Sequence, residues 1–278
     1  MYTRVLAAIN EHVNSEVAAR YARQLAKAAG ARLFFCSIAE KDHREKDFEL
    51  AKEAARRVQH AARELGVETE TIFDRGDPVR MIGDIVRSEH IDLVFASTRH
   101  ADVKRRFYAG PTIARGLLHS LPCSVALVRI VHLGRIHPRE VLVPLKERID
   151  HVPERAYFTA MLARAFDSKV HLFHAVKPIK RFFHGEMHLT PVEWEEKLPA
   201  DIARFIGHLD GYKVEHERRL APGMTGRSIA VEAASKRRDL IIMGASSRGL
   251  IDRVLRGSPM EYVLREAPCN LIILKPGK

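Results

Sequence analysis

The stretch Asp239 to Leu274, DLIIMGASSRGLIDRVLRGSPMEYVLREAPCNLIIL, constrains this chain more than any other, because the chain holds it twice. A weaker copy runs from Asp92 to Val128, DLVFASTRHADVKRRFYAGPTIARGLLHSLPCSVALV. Each copy reads as a short apolar strand, a polar and basic loop, a helix start, and a last strand preceded by Pro-Cys (Pro122-Cys123, Pro268-Cys269). In the downstream copy the strand ends in Gly244 and the helix is announced by Gly257-Ser258-Pro259. Ser258 is suited to the cap, Pro259 to the first helical position and Glu261 to a capping box. Glycines that bracket a helix start allow a backbone to wrap a phosphate, and the free N–H groups and dipole there favour an anion.

The duplication extends upstream. Val5-Leu6-Ala7-Ala8-Ile9 matches Val141-Leu142-Val143-Pro144-Leu145, and second strands follow at Leu33 to Ile38 and Val170 to Val176. Ala51, Ala54, Ala55, Val58, Ala61, Ala62 and Leu65 share one face at helical spacing, with Gly66 as a left-handed stop. Third strands are expected at Val67 to Phe73 and Lys213 to Leu220; Asp77-Pro78 opens the next helix, and Thr225 takes that place in the second copy. Strands that alternate with helices and read as continuous apolar runs predict parallel sheets covered on both faces, wound right-handedly. Gly134 and Pro138 place a break within Val131 to Arg139, so residues 1–131 and 139–278 are expected to form two domains.

Composition narrows the partners. At 278 residues and 46% hydrophobic the chain has room for two ordinary globular domains, and its apolar runs are strand-sized, well short of the ~20 residues that span a bilayer. The opening MYTRVLAAIN is too short an apolar run for a secretory leader, and a cytoplasmic setting is expected. A formal net charge of +11 favours anionic partners, although much of it is expected on a solvated surface. Lys104-Arg105-Arg106 falls inside the upstream glycine loop, and Lys236-Arg237-Arg238 falls where a helix end would attract cations. Few aromatic residues interleave with these cations, which disfavours nucleic acid as a partner. Cys36, Cys123 and Cys269 make no disulfide framework and read as small buried hydrophobes.

The spacing Gly244, Ser247, Gly257-Ser258 closely resembles the G-x2-G-x9-G-[ST] nucleotide signature of the universal stress protein family. Both repeats share the resemblance through their first-strand pattern, the Gly76-Asp77-Pro78 segment and the paired Pro-Cys steps, so the chain looks like a tandem member. The resemblance implies an α/β fold of two doubly wound, Rossmann-like, five-stranded parallel-sheet domains, strand order 3-2-1-4-5, paired through their last strands: Val125 to Ile130 with Leu271 to Lys275. It also implies stress response and ATP binding, with the nucleotide at the ends of the first and fourth strands. Projected onto the second domain, the site comprises Pro144, Leu145, Lys146, Val176, Met243, Gly244, Ala245, Ser247, Arg248, Gly257, Ser258 and Pro259. A weaker first-domain site comprises Ala8, Asn10, Ser97, Gly110 and Thr112.

The chain departs from the signature. Ser247 stands at the second glycine, and Lys146 and Asn10 stand where ATP-binding members carry an aspartate. Asn10 can accept a bond from a base or ribose; Lys146 cannot. In the first copy Ser97 and His100 replace two glycines.

The remaining motifs are weaker. Among 15 histidines, His184 and His188 are spaced i, i+4 and His171 and His174 lie close together, but three or four converging ligands are lacking, and no metal is expected beyond nucleotide-bound Mg. The insertion Lys177 to Pro191 lies on the ligand side of the sheet, and Trp194 is expected to begin the helix after it. Leu250-Ile251 follow Gly249 where a P-loop needs Lys and Ser/Thr, and no G-x-S-x-G elbow is present. The expected function is a non-catalytic sensor or regulator that binds ATP or another adenine nucleotide in its C-terminal domain, with at most weak ATP hydrolysis. An unidentified protein partner and a homodimer of tandem chains are expected with it; an interaction scaffold that has lost nucleotide binding is the alternative.

Overall fold

The computed structural model describes residues 1–40, 42–98, 112–134, 137–176, 198–222, 226–245 and 258–277. In the first half, strands β1 (Arg4–Ala8), β2 (Arg32–Ala39), β3 (Thr69–Arg75), β4 (Leu93–Ser97) and β5 (Ser124–Arg129) alternate with helices α1 (Val13–Ala29), α2 (Glu45–Glu64), α3 (Pro78–Ser88) and α4 (Ile113–Ser120). The second half repeats the pattern. Its strands are β6 (Glu140–Leu145), β7 (Lys169–Val176), β8 (His216–Pro222), β9 (Leu240–Gly244) and β10 (Asn270–Lys275), with helices α5 (Val152–Phe166), α6 (Ala200–Gly211), α7 (Gly226–Ser235) and α8 (Pro259–Glu266).

The two sheets merge into one of ten strands, ordered β3-β2-β1-β4-β5-β10-β9-β6-β7-β8. Within each half the pairing is parallel in the order 3-2-1-4-5; only the seam is antiparallel, with Leu271 opposite Arg129 and Lys275 opposite Val125. Expected fold and last-strand pairing are therefore both present. One core face packs under α1, α2, α5 and α6, the other under α3, α4, α7 and α8, and both run unbroken across the seam. Tyr21 meets Phe166 edge-on at 5.6 Å and Phe95 stacks with Phe158 at 6.0 Å, each pair joining the halves.

The aspartate that opens each repeated stretch has a structural duty. Asp92 Oδ2 accepts from the Thr3 and Arg4 backbone N–H groups at 2.6 and 2.9 Å. Asp239 Oδ2 accepts from those of Arg139 and Glu140, both at 3.0 Å. Each ties the start of its fourth strand to the start of its first, where the orphan donors of the strand would otherwise meet solvent.

Local signals act as their chemistry predicts. Asp77 Oδ1 caps α3 by accepting from Arg80 N at 2.7 Å, with Pro78 at the first helical position. Gly66, at φ +77°, ends α2 in the left-handed region that side chains avoid.

Several expectations need correction. β3 begins at Thr69 rather than Val67, and β8 at His216 rather than Lys213. Val67 N still bonds Ala62 O (3.0 Å) and Val214 N bonds Leu209 O (3.1 Å), so both residues close the preceding helix instead of joining a ladder. Nor are β3 (TETIFDR) and β8 (HERRLAP) apolar runs, because they form the two outer edges of the sheet. Arg238 is buried rather than solvated: its Nη1 meets Glu140 Oε2 at 2.6 Å and its Nη2 meets Glu232 Oε1 at 3.8 Å. Thr225, Trp194, Lys104 to Arg106, His184, His188 and the Lys177 to Pro191 insertion lie outside the described residues. No described helix is long and apolar enough to cross a membrane.

Candidate functional site at the carboxyl ends of the strands

In open α/β sheets the crevice beyond the carboxyl ends of the strands, where the winding reverses, is the usual ligand position. Each half has such a crevice between its first and fourth strands. In the second half β6 and β9 diverge there, and a cavity of about 50 Å³ opens between them. Pro144, Leu145, Lys146, Met243, Gly244 and Pro259, all singled out from sequence, line it together. Ala245 lies just beyond, fully buried, its N–H bonded to Leu274 O at 2.8 Å. Ser258 caps α8, its Oγ accepting from Glu261 N at 3.2 Å, with Pro259 at the first helical position. Val176 closes β7. Ser247, Arg248 and Gly257 lie outside the described residues.

Sequence reasoning missed the side chain that dominates this cavity. Arg155, in the first turn of α5, reaches across the strand ends and lays its guanidinium on Gly244. A Cβ built on Gly244 would stand 2.1 Å from Arg155 Nη1 and 2.2 Å from Cζ, so the room freed by the glycine is taken by the guanidinium. Arg155 Nη2 donates to Ala245 O at 3.0 Å, while Nε is buried with no partner. Burial pulls the guanidinium below its ordinary pKa, against the opposing pull of Asp150 and Glu154. It stays charged nonetheless, since arginine keeps its proton in proteins. Lys146 and Arg148 line the same cavity, and no carboxylate is among its described lining residues.

The missed signal lies in the repeat. Both first helices end in a left-handed residue, Gly30 for α1 and Asp167 for α5. Counting back equally from these ends sets Arg155 against Ala18, which is 1% exposed. An arginine in register with a buried alanine marks a cation turned toward the interior.

The first half has the roomier crevice, a cavity of about 300 Å³. Ala8, Asn10, Ser97 and Thr112 line it together, while Gly110 lies outside the described residues. Thr112 caps α4, accepting from Arg115 N at 3.2 Å. Asn10 Oδ1 already accepts from His12 N at 3.0 Å, which leaves its amide NH2 for a ligand. Glu11, Glu40 and His43 also face this cavity, and Glu11 pairs with His12 (3.0 Å) and His43 (3.4 Å). Where the second cavity is lined by cations, the described rim of the first holds carboxylates.

The histidines of β7 are structural. His171 Nε2 lies 2.6 Å from Glu140 Oε2, and His174 Nδ1 lies 3.1 Å from Leu145 O. Among the described residues no group of three potential ligands could hold a metal ion.

The chain matches the family model described as Universal stress protein family over residues 1–129 and again over residues 139–275. A universal stress protein from Thermus aquaticus is 25% identical over 130 residues, covering 45% of this chain and 91% of that protein. One from Methanocaldococcus jannaschii is 23% identical over 153 residues, covering 54% of this chain and 89% of that protein. Among solved structures, a universal stress protein from Archaeoglobus fulgidus superimposes with a TM-score of 0.64 at 17% identity, covering 99% of this chain and 97% of that one. A putative universal stress protein from Pseudomonas aeruginosa gives a TM-score of 0.63 at 15% identity, covering 99% and 94%. With its two matched segments joined in one ten-stranded sheet, the chain belongs to the universal stress protein family as a tandem member.

Proposed function

We propose that this protein is a non-catalytic stress-response sensor or regulator that binds an adenine nucleotide, ATP-like, in its second domain. In this reading residues 1–131 and 139–278 are the two domains. The base and ribose sit near Pro144, Leu145, Met243 and Val176. The phosphates sit against Gly244, Ala245 and the start of α8, where Ser247, Arg248, Gly257, Ser258 and Pro259 belong. Any Mg2+ arrives with the nucleotide. One observation supports this most: the crevice between β6 and β9 joins a capped helix start to a cavity lined by Lys146, Arg148 and Arg155 with no described carboxylate. Such a lining attracts phosphate without providing a general base, which supports binding rather than turnover. The cytoplasmic setting expected from the sequence, an unidentified protein partner and a dimer of tandem chains complete the reading.

A cavity of about 50 Å³ does not hold a nucleotide, since small-molecule sites are typically ~300–1,000 Å³, so the Arg155 guanidinium has to leave Gly244 when ligand enters. The same contact favours the second reading, a scaffold that has lost nucleotide binding and whose seat is closed by its own arginine. Native mass spectrometry of the freshly purified full chain, with added ATP, separates the two. A bound adenylate, or saturable mass addition by ATP at millimolar concentration, is the expected result. Indifference to adenine nucleotides at that concentration refutes the sensor and leaves the scaffold.

A further inference from the structure

We propose that Arg155 is the specificity-determining residue of the second-domain site, taking a phosphate of the ligand as the counter-ion it lacks, so that the site recognises a linear polyphosphate before it recognises a base. The inference rests on the nucleotide reading of this site and adds to it the chemical class selected there. Arginine carries five N–H donors in a fixed fork. In Arg155 one bond is made, to Ala245 O at 3.0 Å, and Nε is buried without a partner. No described carboxylate lies within 4.0 Å of the guanidinium. Neighbouring Glu154 is committed elsewhere: it accepts from Tyr2 Oη at 3.0 Å and from Ser124 Oγ, and His151 lies 4.0 Å away. A half-buried guanidinium served by one neutral carbonyl carries a desolvation cost that a single hydrogen bond does not offset.

The surroundings reinforce that deficit. Lys146 and Arg148 add positive charge to the same cavity, and the capped start of α8 adds the positive end of a helix dipole beside Pro259. The register partner of Arg155 in the first half is Ala18, and the crevice there is rimmed by Glu11 and Glu40. Duplication has therefore left two similar crevices of opposite described charge, and among the described lining residues the second alone presents a fork matched to phosphate oxygens. When ligand enters, the guanidinium exchanges the Ala245 carbonyl for a phosphate and moves off Gly244, which frees the room the glycine provides.

Isothermal titration calorimetry of the full chain with inorganic tripolyphosphate, ATP and adenosine tests this, with far-UV circular dichroism as the check that each variant folds. Wild type is expected to bind tripolyphosphate and ATP, and adenosine at least about tenfold more weakly. Arg155→Ala is expected to weaken both phosphate ligands by about 10- to 100-fold and to leave adenosine unchanged. Arg155→Lys restores only part, because an ammonium keeps the charge without the fork. ATP binding that is equal or tighter in Arg155→Ala overturns the inference: the guanidinium is then a plug, and the nucleotide reading survives. ATP binding with indifference to tripolyphosphate overturns it in the same way. Failure of wild type to bind any of the three refutes both the inference and the nucleotide reading.

Discussion

Replacing Lys275 with methionine should loosen the seam between the two halves. Lys275 ends β10 and is 5% exposed, yet its Nζ crosses the seam to donate to Leu121 O at 2.8 Å and Cys123 O at 3.2 Å. Leu121 is the C-cap of α4, so the ammonium stands at the negative pole of a helix in the other half. Arg129, the last residue of β5, mirrors it, donating to Ala267 O at 3.3 Å and Arg265 O at 3.2 Å at the end of α8. Methionine at 275 keeps the volume but removes both bonds. Each buried carbonyl left unpaired costs ~1–3 kcal/mol, and a bond from a charged donor contributes ~1.5–3 kcal/mol net. Against this stands relief from burying an ammonium, which in some proteins makes an apolar replacement neutral or better. The Leu121 bond is buried and the Cys123 bond part-buried, and their joint loss should outweigh that relief, leaving a net loss of about 2–3 kcal/mol. Urea unfolding followed by circular dichroism measures it as a lower midpoint, and Arg129→Met should behave alike. A Lys275→Met midpoint equal to or above wild type would show that the ladder between β5 and β10 holds the halves unaided and that the reasoning is wrong.

Two further outcomes follow from packing and charge. Gly226 opens α7 where a Cβ would stand 2.6 Å from Pro259 O and 2.4 Å from Tyr262 Cβ; Gly226→Ala should force α7 and α8 apart and lower stability by ~1–3 kcal/mol, read by thermal melting, and an unchanged melt would refute the close approach. His171 has its pKa lowered, first by burial and then by the neighbouring Arg238 guanidinium, which together outweigh the opposing pull of Glu140 and Glu217. A group whose folded pKa lies below its unfolded value of ~6.5 favours the fold fully above that pH and withdraws stability as pH falls through it toward the folded value. Wild type should therefore lose stability below about pH 6.5, and His171→Phe should flatten that slope; identical slopes would rule out His171 as its source.

The repeats show how far sequence reaches here. Periodicity and local chemistry are near-neighbour effects, so Asp77, Gly66 and Ser258 are legible as caps and stops from the residues beside them, and each acts as one. The duplicated Asp92 and Asp239 are visible as repeats, but their partners lie 89 and 100 positions away at most, and only the closed sheet shows what they hold. The outer strands mislead because burial at an edge depends on which strand comes last, a property of the whole sheet.

Residue types and spacing alone determined two α/β units, their winding and the place where a ligand crevice would open, because alternation of strand and helix leaves few ways to cover a parallel sheet. Tertiary structure decided what fills that crevice. Gly244 and Arg155 are 89 residues apart, and nothing local to either states that one will rest on the other. The same folding put Ala18 at the matching place in the first half, where the crevice measures about 300 Å³ against about 50 Å³ in the second. Side-chain volume and charge act through contact, and contact between distant segments exists only once the strands are in register.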